Sequence, residues 1–208
     1  MLIGILADIH DAVEPLKASL TRFRELGVEQ VVSLGDAFET FRPGEPGPEV
    51  ARLLRKAEAI GVWGNHDVGL SHDIPGKVRD IADPALLDYT VTLQPQLIID
   101  NCRFSHVEPW LDPKVVKELW HYDGQPEPTE MAVRSFSEVP EQFIFVGHYH
   151  CWIAMGLDGP LDWDGTEMIS FSRDQRYFVI TAPVFRGWSA VFDSETAELY
   201  PILCPCGV

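Results

Sequence analysis

At 208 residues the chain has the size of one domain, long enough to bury a sizeable core and below the length at which cores usually split. Hydrophobic residues make up 46% and charged residues 23%, as in ordinary globular proteins, and no apolar stretch reaches the ~18 residues of a membrane span. Thirty-two acidic side chains face 16 basic ones, for a formal charge of -16. That balance argues against stable binding to nucleic acid or an anionic membrane, which depends on clustered Lys and Arg.

The opening, Met1 to Asp8, lacks a basic n-region and meets an aspartate too early for a signal peptide. Cys102, Cys151, Cys204 and Cys206 have no framework spacing, so the expectation is a cytoplasmic protein with reduced thiols. Cys204-Pro205-Cys206 is also a weak candidate for catching a soft metal.

In chain order, an apolar strand over 2–7 leads to Asp8-Ile9-His10. A helix over 12–26 follows, with Leu16, Leu20, Phe23 and Leu26 on one stripe and Gly27 as its stop. A second strand, 30–34, leads to Gly35-Asp36, making a βαβ unit. The Pro- and Gly-rich stretch 41–48 reads as a loop, and a helix over 48–57 has Pro at its first turn. The third strand, 59–63, delivers Gly64-Asn65-His66-Asp67.

The middle is less regular. A short helix is expected at 81–89, then two strands, 96–100 and 102–106, the second ending at His106. Residues 108–138 hold Trp110, Trp120, His121 and Tyr122, with short helices expected near 113–120 and 127–135. Such an insertion just after a rim histidine reads as a lid or substrate wall, or as a satellite hydrophobic cluster. A strand over 142–146 ends at Gly147-His148-Tyr149-His150. Beyond it, strands at 168–171, 177–181, 189–192 and 198–202 are expected to form a second, mostly antiparallel sheet.

The polar clusters all follow buried strands. If those strands lie in one sheet, their carboxyl ends form one rim, where open α/β folds bind ligands. Taken singly, the first three clusters have a plain reading as turns or helix caps, while two alternating histidines at a strand end more often mean metal than core packing. Together they bring carboxylate oxygen, amide oxygen and imidazole nitrogen to one place, a donor set that suits one or two first-row divalent metals. Four of the seven histidines lie in these clusters; His72 and His121 read as ordinary surface or lid residues.

The order Asp-x-His, Gly-Asp, Gly-Asn-His-Asp, His, Gly-His-x-His resembles the calcineurin-like metallophosphoesterases, from residue 4 to 150 and, through the strand-rich tail, over the whole chain. The resemblance implies an α/β fold, a four-layer αββα sandwich of two mixed β-sheets flanked by helices, in a single domain over 1–208. It also implies two divalent metal ions (Mn²⁺, Fe²⁺/Fe³⁺, Ni²⁺, Co²⁺ or Zn²⁺). Asp8, His10, Asp36 and His150 would hold one, and Asp36, Asn65, His106 and His148 the other, with Asp36 bridging. His66 would be the catalytic residue over the substrate phosphoryl group. Asp11 and Val107-Glu108-Pro109 stand where relatives often carry glycine. Neither Ala37-Phe38-Glu39 nor Val68-Gly69-Leu70 supplies the arginines of the protein phosphatases in this family.

The implied activity is phosphoester hydrolysis. Two ions roughly 3.5–4 Å apart share a water, lower its pKa and clamp the phosphoryl oxygens, so that the bridging hydroxide attacks phosphorus in line. His66 would protonate the leaving oxygen, and Glu39, at the offset of a family aspartate that orients this histidine, is either its partner or a solvated loop residue. A monoester carries nearly two charges and usually needs Arg or Lys beside the metals. Near the motifs the sequence offers only Arg42, with Arg134 a distant candidate. Small phosphodiesters are therefore expected as substrates, with a phosphomonoesterase or protein phosphatase as the alternative. A non-catalytic scaffold would show lost ligands, and a nuclease a basic face.

Overall fold

The computed structural model describes residues 1–39, 46–121 and 128–204. Side chains alternate sides along a strand, so the unbroken apolar runs of this chain must be covered on both faces. In β1 (Leu2–Leu6) Ile3 and Ile5 point to one apolar layer and Leu6 to another. A sandwich of layers is the arrangement that satisfies both.

Helix α1 (Val13–Leu26) buries Leu16, Leu20 and Phe23 and leaves Leu26 exposed at its end, where Gly27 adopts the left-handed conformation. Then come β2 (Gln30–Ser33), α2 (Gly47–Lys56) and β3 (Ile60–Gly61). The expected helix at 81–89 is displaced: α3 (Val68–Ser71) and α4 (Gly76–Ile81) precede α5 (Pro84–Thr90), which Asp83 caps through the Ala85 N–H at 2.8 Å. The hairpin β4 (Leu97–Ile99) and β5 (Cys102–Ser105) is followed by α6 (Val116–Leu119) and α7 (Pro128–Glu138). After β6 (Phe143–Val146) the chain makes β7 (Ile153–Gly156), β8 (Gly159–Pro160), β9 (Ile169–Ser170), β10 (Tyr177–Ile180), β11 (Trp188–Asp193) and β12 (Glu198–Leu203).

These strands form two mixed six-stranded sheets, ordered β3-β2-β1-β11-β12-β9 and β4-β5-β6-β10-β7-β8. In the first, β1, β2 and β3 run parallel; in the second, β5, β6 and β10 do. Two expectations are corrected here. The motif-bearing strands divide between the sheets, so the clusters meet across the sandwich and not along one sheet's rim. The late strands likewise build no sheet of their own: β9, β11 and β12 extend the first sheet, while β10 inserts beside β6. β7 and β8, which the sequence reading passed over, complete the second.

Ile3, Ile5, Val32, Phe104, Phe143, Phe145, Phe192 and their neighbours fill the space between the sheets. α1, α2 and α5 cover the outer face of the first sheet, and Met131 and Ala132 of α7 pack on Ile144, Val146, Phe178 and Ile180 of the second. The layer order is αββα, as expected from the sequence. Among the described residues no helix is long and apolar enough to cross a membrane.

Candidate metal centre

The loops after β1, β2 and β6 carry an unusual backbone. Asp8, His10, Asp11, Asp36, His148 and His150 all have positive φ, between 47° and 67°. Each such residue costs of order 1–3 kcal/mol and persists only where its surroundings over-determine it. Here the first two loops are laced together, with Asp8, His10 and Asp11 N–H groups donating to the carbonyls of Gly35, Asp36 and Ala37 at 3.2, 2.9 and 3.2 Å. The His148 N–H donates to both carboxylate oxygens of Asp8 at 3.1 Å, tying the second sheet to the first. Gly35 has φ 92°, and a Cβ there would stand 2.7 Å from Gly64 N and His106 Nδ1. The approach of the two loops requires glycine.

Asp67 fastens the third loop. It is fully buried and accepts from the N–H groups of Ala37, Phe38 and Gly64 at 3.2, 3.1 and 3.1 Å. Burial, then the neighbouring Asp36 charge, push its carboxyl up to about 7. Sequence reasoning assigned Asp67 no role; the signal was its place in Gly64-Asn65-His66-Asp67, three residues after a glycine.

All seven donor residues singled out in the sequence meet at one end of the sandwich. Asp8, His10 and His150 form one group, and Asp36, His106 and His148 a second. Asp36 Oδ2 lies between them, 3.4 Å from His106 Nε2 and 3.9 Å from His10 Nε2. Asn65 Oδ1 is 2.9 Å from His106 Nε2 and 3.0 Å from His148 Nδ1.

The proton placement tests whether a cation fits. His106 Nδ1 is 2.8 Å from the Leu34 carbonyl, which only accepts, so Nδ1 carries the proton. His148 Nε2 faces the His121 carbonyl at 3.2 Å and is fixed the same way. In the neutral rings His106 Nε2, His148 Nδ1, Asn65 Oδ1 and Asp36 Oδ2 then point lone pairs at one another with no donor among them. In the other group His10 Nε2 and His150 Nε2 are 3.3 Å apart, and His150 Nε2 is 3.4 Å from Asp8 Oδ1. Such a set repels itself unless positive charge sits inside it, and its N and O donors fit first-row divalent ions.

The titration of these groups expresses the same demand. Burial alone would lower His106, yet the Asp36 charge and hydrogen bond outweigh it and raise it to about 9. Burial opposes ionisation of Asp36 too, but the His106 charge and hydrogen bond hold its carboxyl well below the usual range. Burial and then the His106 charge push His148 down to about 4, and burial lowers His10. One buried imidazole takes up a proton and its neighbours do not.

His66 stands at the edge, half-buried, its N–H donating to Asp36 Oδ1 at 2.9 Å and its Nδ1 bonded to the main-chain carbonyl of Glu39. The Glu39 carboxylate reaches a different ring from the one expected. It lies 3.1 Å from His10 Nδ1 and 4.0 Å from His66 Nδ1. The His10 contact is not aligned as a hydrogen bond, and among the described residues that buried nitrogen has no hydrogen-bond partner.

Residues 108–121 close one side. Trp63 Nε1 donates to the Pro113 carbonyl at 2.8 Å, and Trp120 packs at 5.1 Å from His66. Glu108, buried, accepts from the Tyr149 hydroxyl at 2.6 Å. An open cleft of about 320 Å³ is lined by His10, Asp36, Asn65, His66, Trp120, His148, Tyr149 and His150. Arg134 lies over Trp110 at 4.6 Å, and His72 stacks on Trp63. Phe185, packed on His10 and His150, and Arg186, whose Nη1 is 3.4 Å from the His150 carbonyl, were missed. They come from the tail, and only the insertion of β10 beside β6 brings them near. Arg42, Tyr122 and Cys206 lie outside the described residues.

The chain is 26% identical over 184 residues to an uncharacterized protein of Methanocaldococcus jannaschii, an alignment covering 77% of this chain and 67% of that protein. In fold it is similar to a metallophosphoesterase from Sphaerobacter thermophilus, with a TM-score of 0.75 and 22% identity over 100% of this chain and 89% of the other. It is also similar to an archaeal phosphodiesterase, with a TM-score of 0.55 and 18% identity over 98% and 100% of the two chains. Residues 1–158 match the family model of the calcineurin-like phosphoesterase superfamily domain, and the chain belongs to that superfamily.

Proposed function

We propose that the chain is a dinuclear metal-dependent hydrolase of small phosphodiesters. Asp8, His10 and His150 would hold one divalent ion, Asn65, His106 and His148 the other, and Asp36 would be shared between them. When bound, such a pair acidifies a water and draws charge from the phosphoryl oxygens. The rest is done by side chains. His66, with Nδ1 committed to the Glu39 carbonyl, has Nε2 left to protonate the departing oxygen. The Asp36 contact to the His66 N–H ties the position of this acid to the shared carboxylate. The complete donor set argues against a non-catalytic scaffold, and the charge of -16 against a nuclease for duplex DNA.

The diester reading is carried by the cleft lining. Four imidazoles, one carboxylate and one amide line it, and among the described residues no Lys or Arg does. Arg186 engages a main-chain carbonyl, and Arg134 is stacked on Trp110. Among the described residues a monoester's second charge would find no partner there, whereas a diester carries only one. Measuring kcat/KM for bis-p-nitrophenyl phosphate and p-nitrophenyl phosphate in one buffer with Mn²⁺ tests this. Preference for the diester, after allowing for intrinsic reactivity, is expected; preference for the monoester rejects the diesterase reading.

A further inference from the structure

An indole side chain at the mouth of the cleft has no part in the metal centre. Of the four aromatic residues in the insertion, Trp110 is occupied by Arg134 and Phe136 by Arg176, and Tyr122 lies outside the described residues. Trp120 alone presents a free surface: it is 53% exposed and belongs to none of the three apolar clusters among the described residues, although Leu119 beside it is fully buried. Its backbone is held on both sides. Leu119 anchors one side, and on the other the His121 carbonyl accepts from His148 Nε2 at 3.2 Å. Farther back, the Pro113 carbonyl accepts from Trp63. The backbone that carries the indole is therefore held before any ligand arrives, and the indole's ring centroid is 5.1 Å from that of His66.

We infer that Trp120 forms the leaving-group subsite, stacking an aromatic alcohol arm of the diester so that this arm is the one released. The inference rests on the diesterase reading. Its physical basis is adjacency: an aromatic arm stacked on the indole brings its ester oxygen to the His66 side of the cleft, where the proton is supplied. The step balances as a hydrolysis. A water oxygen bonds to phosphorus, the P–O bond to the stacked arm breaks, His66 Nε2 gives its proton to the departing oxygen, and the proton shed by the water replaces the one His66 gave. The other arm stays on the phosphate monoester. Stacking on an aromatic side chain is worth about tenfold to a hundredfold per ring, available here only to aromatic leaving groups.

The test uses the full chain with Mn²⁺ and two methyl phosphodiesters, one with phenol and one with hexafluoroisopropanol as a leaving group of similar acidity. The wild type is expected to favour the phenyl ester, and Trp120→Ala to lower the phenyl-to-alkyl ratio of kcat/KM by about tenfold to a hundredfold. Trp120→Phe, which keeps a stacking face, is expected to hold the ratio within about threefold of wild type. An unchanged ratio in Trp120→Ala, with both esters slowed alike, overturns the inference. Bis-p-nitrophenyl phosphate in the same assay separates the two readings. Its hydrolysis beside an unchanged ratio sinks the subsite alone; no hydrolysis of any diester sinks the diesterase reading and the subsite with it.

Discussion

The two sheets bring unlike chemistry to the same spot. Loops of the first supply both carboxylates and the amide, Asp8, Asp36 and Asn65, together with His10 and His66; loops of the second supply only imidazoles, His106, His148 and His150. The first sheet's share is anionic and cross-linked by its own backbone hydrogen bonds. The second sheet's share carries no carboxylate, and two of its rings are oriented by carbonyls borrowed from elsewhere, Leu34 for His106 and His121 for His148. The Asp8-His10-His150 group and the Asp36-His106-His148 group each draw on both sheets, while a third cluster, His10, Glu39 and His66, comes from loops of the first alone. The aromatic layer between the sheets lies behind these groups, and the donor pairs that cross the gap are spaced by that packing.

The sharpest way to break this division is at the residue shared by both groups. Asp36→Asn removes the charge that lies between His10 and His106. It is expected to lower metal content in both sites and abolish turnover, checked by elemental analysis and kinetics. Wild-type content and rate in that variant would refute the shared role.

His66 also sits on a loop of the first sheet and is proposed as the proton donor, not as a ligand. His66→Gln should keep both ions and slow hydrolysis by roughly 10²- to 10⁴-fold. Loss of an ion would make it a ligand instead.

Asp67 probes the stiffness of the first sheet's loops. Asp67→Asn turns an NH₂ toward buried N–H donors and leaves at least one unsatisfied, costing about 1–3 kcal/mol in chemical denaturation. An unaltered midpoint would show that the loop is held by other means.

The smallest effect is expected at Glu39, which is exposed. Glu39→Gln should weaken metal binding at the His10 group by about tenfold, the low end for an outer-shell partner, and titration calorimetry reads it. A changed pH dependence of rate with unchanged metal affinity would return the carboxylate to His66.

Much of this was legible in the sequence, because a buried strand followed by a donor residue is a local signal. Asp8, His10, Asp36, Asn65, His66, His148 and His150 each sit within four residues of an apolar run, and the structure brings them together at one end of the sandwich. What was not legible is pairing at a distance. Nothing local in Tyr177–Ile180 says that it inserts beside β6, so neither the split of the late strands nor the place of Arg186 could be read. Glu39 failed for a finer reason. Its offset from Asp36 put it near two rings, and only side-chain geometry decides that its carboxylate faces His10 while its carbonyl takes His66.

The central claim is a two-ion centre assembled from both sheets, and counting ions tests it most directly. The chain is stripped with chelator, titrated with Mn²⁺ and followed by calorimetry, alongside His106→Ala, which removes a second-sheet donor. Two ions per chain are expected in the wild type and one tightly held ion in the variant. A single ion in the wild type, or two of unchanged affinity in His106→Ala, would contradict it.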